Sequence, residues 1–150
     1  MITKNTFSSL LIGLVVFGAF FSCKHNPKEQ PDAKPAGKIT VETLITENEG
    51  EYPRDLDIFG TNSVNSRLEN ILGDQYAAIK ENFETQTPVV SEEDVYKFSG
   101  CKAHNCPSFI TKVYYDAKQD NFNVIVSQSG KVKVYEEKGG IKVPRALESK

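Results

Sequence analysis

Two cysteines and a histidine lie close together in the run 100–107, which reads Gly-Cys-Lys-Ala-His-Asn-Cys-Pro. A disulfide between Cys101 and Cys106 would close a short loop and hold the imidazole of His104 at its tip. Such a loop presents a fixed surface to a partner, since ordering before binding lowers the cost of association. The alternative is an exposed histidine without a role in a disulfide-pinned turn.

Other chemistries that use the same residue types fit less well. A structural zinc site needs four ligands, and this run offers three. A thiol-disulfide catalyst typically has two residues between its cysteines, at a helix N-terminus, whereas four lie between Cys101 and Cys106. A cysteine nucleophile beside His104 would lose its thiol to the disulfide. The sequence therefore predicts no metal site, no cofactor and no enzyme active site.

The N-terminus predicts export. A positively charged start precedes an apolar run of about 15 residues, 7–21, as in a secretory signal peptide. The run is short for a membrane span, which needs about 20 apolar residues. Ser22 followed by Cys23 resembles the lipobox of bacterial lipoproteins, which implies cleavage before Cys23 and lipid attachment to its sulfur.

This assignment accounts for the three cysteines of the chain. With Cys23 lipidated, Cys101 and Cys106 remain as a pair, and exported proteins lie in an oxidising compartment where such a pair forms a disulfide. We therefore expect a protein of the bacterial cell envelope. It would be lipid-anchored at the outer membrane, on its periplasmic or surface side.

The composition divides the chain into three segments. Residues 1–22 form the predicted signal peptide. Residues 23–38 hold the lipidated cysteine and a tether that is rich in proline and lysine, without large apolar residues, and is therefore flexible. Residues 39–150 form one domain of ordinary size. The chain has a formal net charge of −2, which argues against a nucleic-acid-binding surface, since such surfaces are basic.

Hydrophobic periodicity predicts an α+β fold for 39–150. Apolar residues recur at helical spacing twice between about 63 and 85, which predicts two short helices. Alternation predicts four strands, at 95–98, 109–115, 122–126 and 132–134. We expect an antiparallel meander with both helices packed on one face, because helices this short need tertiary contacts. Residues 40–46 are expected as an edge strand or loose lead-in, and 141–143 as a terminal segment.

The run 101–106 resembles the signature loop of the Ivy family, the bacterial inhibitors of vertebrate (c-type) lysozyme, which typically reads C-K-P-H-D-C. The helical region around 72–88 and the following strands are also similar, so that the resemblance covers roughly 60–145. It implies an antiparallel sheet with helices on one side. It also implies that the disulfide-closed loop enters the lysozyme cleft.

The family's residue roles are carried over onto this loop position by position. The resemblance implies that His104 reaches the two catalytic carboxyl groups of lysozyme, with Lys102, Ala103 and Asn105 as flanking contacts. Ala103 stands in place of the usual proline, so the loop loses a fixed φ angle. Asn105 stands in place of the usual aspartate, which removes a charge. The expected partner is a lysozyme, with the c-type first.

A second function stays open. A lipid-anchored module could instead bind peptidoglycan or another protein of the envelope. Tyr114, Tyr115 and Phe122 could form a platform for a sugar, although aromatic residues at strand spacing are more often part of a core.

Overall fold

The computed structural model describes residues 41–106 and 108–149. The predicted signal peptide, Cys23 and the tether lie outside these residues. The helices are α1 (Val41–Thr46), α2 (Ser63–Leu72), α3 (Tyr76–Glu81) and α4 (Arg145–Glu148), and a 3-10 turn at Gly73–Gln75 joins α2 to α3. The strands are β1 (Thr85–Gln86), β2 (Val90–Glu92), β3 (Val95–Cys101), β4 (Phe109–Asp116), β5 (Asn121–Gln128) and β6 (Lys131–Glu136). None of the helices described is long and apolar enough to cross a membrane.

The strands form one antiparallel sheet. Strands β3 to β6 follow each other as a meander, and the two short strands β1 and β2 both pair with β3. The predicted α+β fold with an antiparallel meander is therefore confirmed. Strands β5 and β6 are joined by a tight turn, in which Ser129 and Gly130 both have positive φ, 50° and 78°, as in the type I′ turns of two-residue hairpins.

Helices α2 and α3 pack on one face of the sheet, as the sequence predicts. Leu68, Leu72 and Ile79 are buried against Phe98 and Val113 of the central strands. The side chain of Asn62 caps α2 by accepting a hydrogen bond from the backbone N–H of Asn65. Asp74 lies within the 3-10 turn, and α3 begins without a side-chain cap.

The expectation about the start of the domain is wrong. Residues 41–46 form helix α1 rather than an edge strand or loose lead-in, because Ile45 is completely buried in the core. Residues 141–143 lie in the expected terminal segment, where Ile141 and Val143 pack against the cluster that contains Leu147, and α4 begins directly after Pro144. Leu147 of α4 is buried against Val95 and Tyr114 on the opposite face of the sheet, so this face is partly covered as well.

An ion-pair network fixes α2 at the end of the sheet that is remote from the loop 101–106. The Arg67 Nε donates to Glu137 Oε1 at 2.8 Å, and its guanidinium also pairs with Asp120 in the turn between β4 and β5. Lys138 pairs with the same Asp120 carboxylate at 2.9 Å. Burial opposes ionisation of Asp120, but hydrogen bonds from Arg67 and Lys138 lower its pKa to about 2.

Candidate functional site

The disulfide predicted from the sequence is present. Cys101 is the last residue of β3, and its sulfur is bonded to that of Cys106, with the two Cα atoms 4.9 Å apart. Strand β4 begins at Phe109, three residues after Cys106, and Cys101 of β3 pairs with Ile110 of β4 in the sheet. The closed loop is therefore the tip of a β-hairpin built from two strands of the meander.

The tip of the loop is a tight turn. The backbone N–H of Asn105 donates to the carbonyl of Lys102 at 3.0 Å, and His104 has a positive φ of 59°, whereas Ala103 does not. A four-residue turn with positive φ only at its third residue is of type II. A left-handed conformation costs a residue other than glycine about 1 to 2 kcal/mol. Strain of this kind concentrates at functional sites, where the surrounding structure maintains it.

The predicted contact residues face outward. Lys102, His104 and Asn105 are exposed, Ala103 is half-buried, and Cys101 is buried at the base of the loop. Nothing covers the imidazole among the residues that the structure describes, so a partner can reach it. The sixth predicted residue, Cys106, is half-buried and closes the loop.

One neighbour that the sequence did not reveal holds the loop from the helical side. The Ala103 N–H donates to the Glu84 carboxylate at 2.8 Å. The Glu84 N–H in turn donates to the carbonyl of Cys101 at 3.1 Å. Thr85 pairs with Cys101 in the sheet, and this register places Glu84 beside the loop.

A second neighbour holds the loop from the side of β5 and β6. The Ser129 N–H donates to the carbonyl of Ser108 at 2.8 Å. The N–H groups of Ser108 and Phe109 both donate to the carbonyl of Asn105, at 3.0 and 3.2 Å. The loop is therefore fixed by backbone hydrogen bonds within itself and to the adjacent hairpin, in addition to the disulfide.

Gly100 gives the base of the loop its packing. A Cβ at this position would lie 2.4 Å from the ring of Phe83, so only glycine leaves room for that ring. Phe83 is buried and also meets Phe59 and Phe98, with ring centroids 5.0 and 6.3 Å away. Since Phe83 directly precedes Glu84, this contact also fixes the residue that holds Ala103.

A polar cavity of about 270 Å³ opens beside the loop. Its polar lining includes Lys102 and Asn105 of the loop together with Asn82, Gln128 and Ser129. Amide, hydroxyl and ammonium groups of this kind suit the polar rim of a protein interface.

The other residues singled out from the sequence lie outside this loop. The alternative of an aromatic platform for a sugar is wrong, because Tyr114, Tyr115 and Phe122 are all buried in the domain. Within 41–106 and 108–149, no group of three or more His, Cys, Asp or Glu residues could hold a metal ion. Cys23, the predicted lipid-attachment residue, lies outside the described residues.

A family model described as "Inhibitor of vertebrate lysozyme (Ivy)" matches residues 63–149, which is more than half of the chain. The match includes α2, α3, the whole sheet and the disulfide-closed loop. No curated protein and no solved structure gives a significant match. The chain therefore belongs to the Ivy family, the inhibitors of vertebrate lysozyme.

Proposed function

We propose that this chain inhibits lysozyme, the c-type first, by inserting the loop 101–106 into the active-site cleft. His104 would lie between the two catalytic carboxyl groups. One observation carries the proposal: in a member of this family, an exposed imidazole lies at the tip of a covalently closed hairpin loop.

The chemistry of both partners supports this placement. Lysozyme uses one protonated and one ionised carboxyl group, which flank the bond to be cleaved. An imidazole has two ring nitrogens, and both donate hydrogen bonds when the ring is charged. Hydrogen bonds between charged groups are stronger than neutral ones. His104 in this position would therefore bind both carboxyl groups and also occupy the space that the sugar needs.

The rigidity of the loop supports the proposal as well. Its tip is held by the disulfide, by the turn from Lys102 to Asn105 and by the contacts to Glu84 and Ser129. A partner therefore does not have to order the tip on binding, which lowers the free-energy cost of association. Lys102, Ala103 and Asn105 flank His104 and would line the contact with the rim of the cleft.

We further propose that the domain is held in the cell envelope by a lipid on Cys23 and by the tether 23–38. A flexible coil of this length has an end-to-end distance on the order of 20 Å, which would hold the domain off the membrane surface. Labelling cells with a fatty-acid precursor tests the anchor. Label should appear in the wild-type chain and be absent from Cys23→Ser.

The test of inhibition compares the two histidines of the chain. We expect His104→Ala to raise the inhibition constant for a c-type lysozyme at least about tenfold, which corresponds to about 1.4 kcal/mol. His25→Ala is the matched control, because His25 lies in the predicted tether, and it should leave inhibition unchanged. Equal inhibition by the two variants would mean that the loop is not the inhibitory element.

A further inference from the structure

The loop depends on a residue that lies outside it. Glu84 is 19 positions away from Ala103 in sequence, yet its carboxylate accepts the Ala103 N–H at 2.8 Å. Ala103 is the second residue of the turn whose third residue is His104. A hydrogen bond at this point fixes the Lys102–Ala103 peptide group, one residue before the residue that bears the imidazole.

We propose that Glu84 is a positioning residue: its carboxylate fixes the Lys102–Ala103 peptide and so maintains the left-handed conformation in which His104 is presented. This inference rests on the proposed function of the loop. A carboxylate accepting an N–H is charge-assisted and therefore stronger than a bond between neutral groups.

The backbone of Glu84 is fixed independently of its side chain. Its N–H donates to the carbonyl of Cys101, and the next residue, Thr85, pairs with Cys101 in the sheet. The preceding residue, Phe83, is held in the core against Gly100. Changing the Glu84 side chain should therefore remove the contact to Ala103 and leave the register of the sheet intact.

The sequence of the loop supports the same inference. Proline is common at the second position of a type II turn, because its ring fixes φ near −65°. Proline also lacks an N–H and would leave the Glu84 carboxylate without this donor. Ala103 does not fix φ, but it supplies the N–H that Glu84 accepts. In this chain the hydrogen bond from Ala103 to the Glu84 carboxylate therefore takes the place of a proline ring in holding the turn.

This relation makes the proposal testable by rescue. We expect Glu84→Ala in the full chain to raise the inhibition constant for a c-type lysozyme about tenfold, as for loss of a hydrogen bond to a charged group. In the Ala103→Pro background, where the ring holds the turn, the same Glu84→Ala change should alter inhibition less than about twofold. Glu81→Ala is the matched control for the lost charge, since Glu81 is also exposed and close in sequence; it should have no effect.

Hydrogen exchange gives a readout that does not depend on lysozyme. The Ala103 amide should exchange about tenfold faster in Glu84→Ala than in wild type, while amides of β3 and β4 keep their protection. An unchanged Ala103 exchange rate would overturn the positioning role. So would an equal loss of inhibition in both backgrounds, because it would indicate that Glu84 contacts lysozyme directly.

The two readouts separate the two proposals. Faster Ala103 exchange in Glu84→Ala, combined with a wild-type chain that inhibits no lysozyme, would overturn the proposed function and leave the positioning of the turn by Glu84 in place. Inhibition by wild type that is insensitive to Glu84→Ala would overturn the positioning role and leave the proposed function in place.

Discussion

Removing the disulfide should weaken inhibition while the domain remains folded. The bond joins cysteines five positions apart, so it closes only about six residues. On the loop-entropy relation, this stabilises the folded state by about 2 kcal/mol at 25 °C. A domain of this size is typically stable by about 5 to 15 kcal/mol, so the variant Cys101→Ser with Cys106→Ser should remain folded.

The effect on binding follows from the four residues of the tip, 102–105. Fixing the backbone of one residue costs about 1 to 2 kcal/mol, and without the disulfide part of this cost is shifted to the binding step. The turn hydrogen bond and the contacts to Glu84 and Ser129 remain, so only part of the tip becomes free. We therefore expect inhibition to weaken by about tenfold or more, or about 1.4 kcal/mol.

Two measurements on the same double variant decide this prediction. Urea unfolding should show a free energy of unfolding that is lower by about 2 kcal/mol, with an unchanged m-value. The inhibition constant for a c-type lysozyme should be larger than that of wild type by about tenfold or more. The reasoning is refuted if the variant is unfolded at 25 °C, which would make the bond mainly structural, or if it inhibits as well as wild type.

Three further outcomes are expected. Inhibition should become tighter as the pH falls from 8 to 6, because a charged imidazole donates two hydrogen bonds to the carboxyl groups of lysozyme. Lysozyme itself titrates in this range, so His104→Gln is measured in parallel, and an unchanged pH profile in that variant would contradict the role of His104. Gly100→Ala should lower the free energy of unfolding by about 1 to 3 kcal/mol, since the new Cβ would overlap the Phe83 ring. Gly140→Ala is the control, because the nearest atom to a Cβ there is a Glu136 side-chain oxygen at 3.4 Å. Equal urea midpoints for the two variants would disprove the packing argument. Arg67→Met should lower stability at pH 7 by about 1 kcal/mol, a small effect because the Asp120 side chain is more than half exposed. The lowered pKa of Asp120 means that this stabilisation is present above the ordinary value near 4 and lost as the pH falls toward about 2, so the difference from wild type should narrow over that range in acid titrations, while inhibition at pH 7 stays the same.

The sequence predicts the centre of the fold well because the central strands have strong patterns. Phe122, Val124 and Val126 occupy every second position of β5, and all three are buried in the core. Ser129-Gly130 is a recognisable tight turn. These signals are local, so they are readable without knowledge of the rest of the chain. The disulfide was also predictable, since the N-terminus predicts export and the expected lipid on Cys23 leaves Cys101 and Cys106 as a pair.

The elements that were missed depend on contacts between distant parts of the chain. The short helices α1 and α4 are stabilised by burial of Ile45 and Leu147, and segments of four to six residues carry little periodicity of their own. The Glu84 contact depends on the register of a two-residue strand, β1, against β3. An exposed glutamate after a buried phenylalanine gives no signal of such a contact in the sequence.

The most direct measurement of the central claim is a crystal structure of the domain bound to a c-type lysozyme. The account predicts that the two ring nitrogens of His104 lie within hydrogen-bond distance, about 2.7 to 3.2 Å, of the two catalytic carboxyl groups, with the disulfide-closed loop filling the sugar subsites. A complex in which the loop lies outside the cleft, or in which another face of the sheet contacts lysozyme, would contradict it.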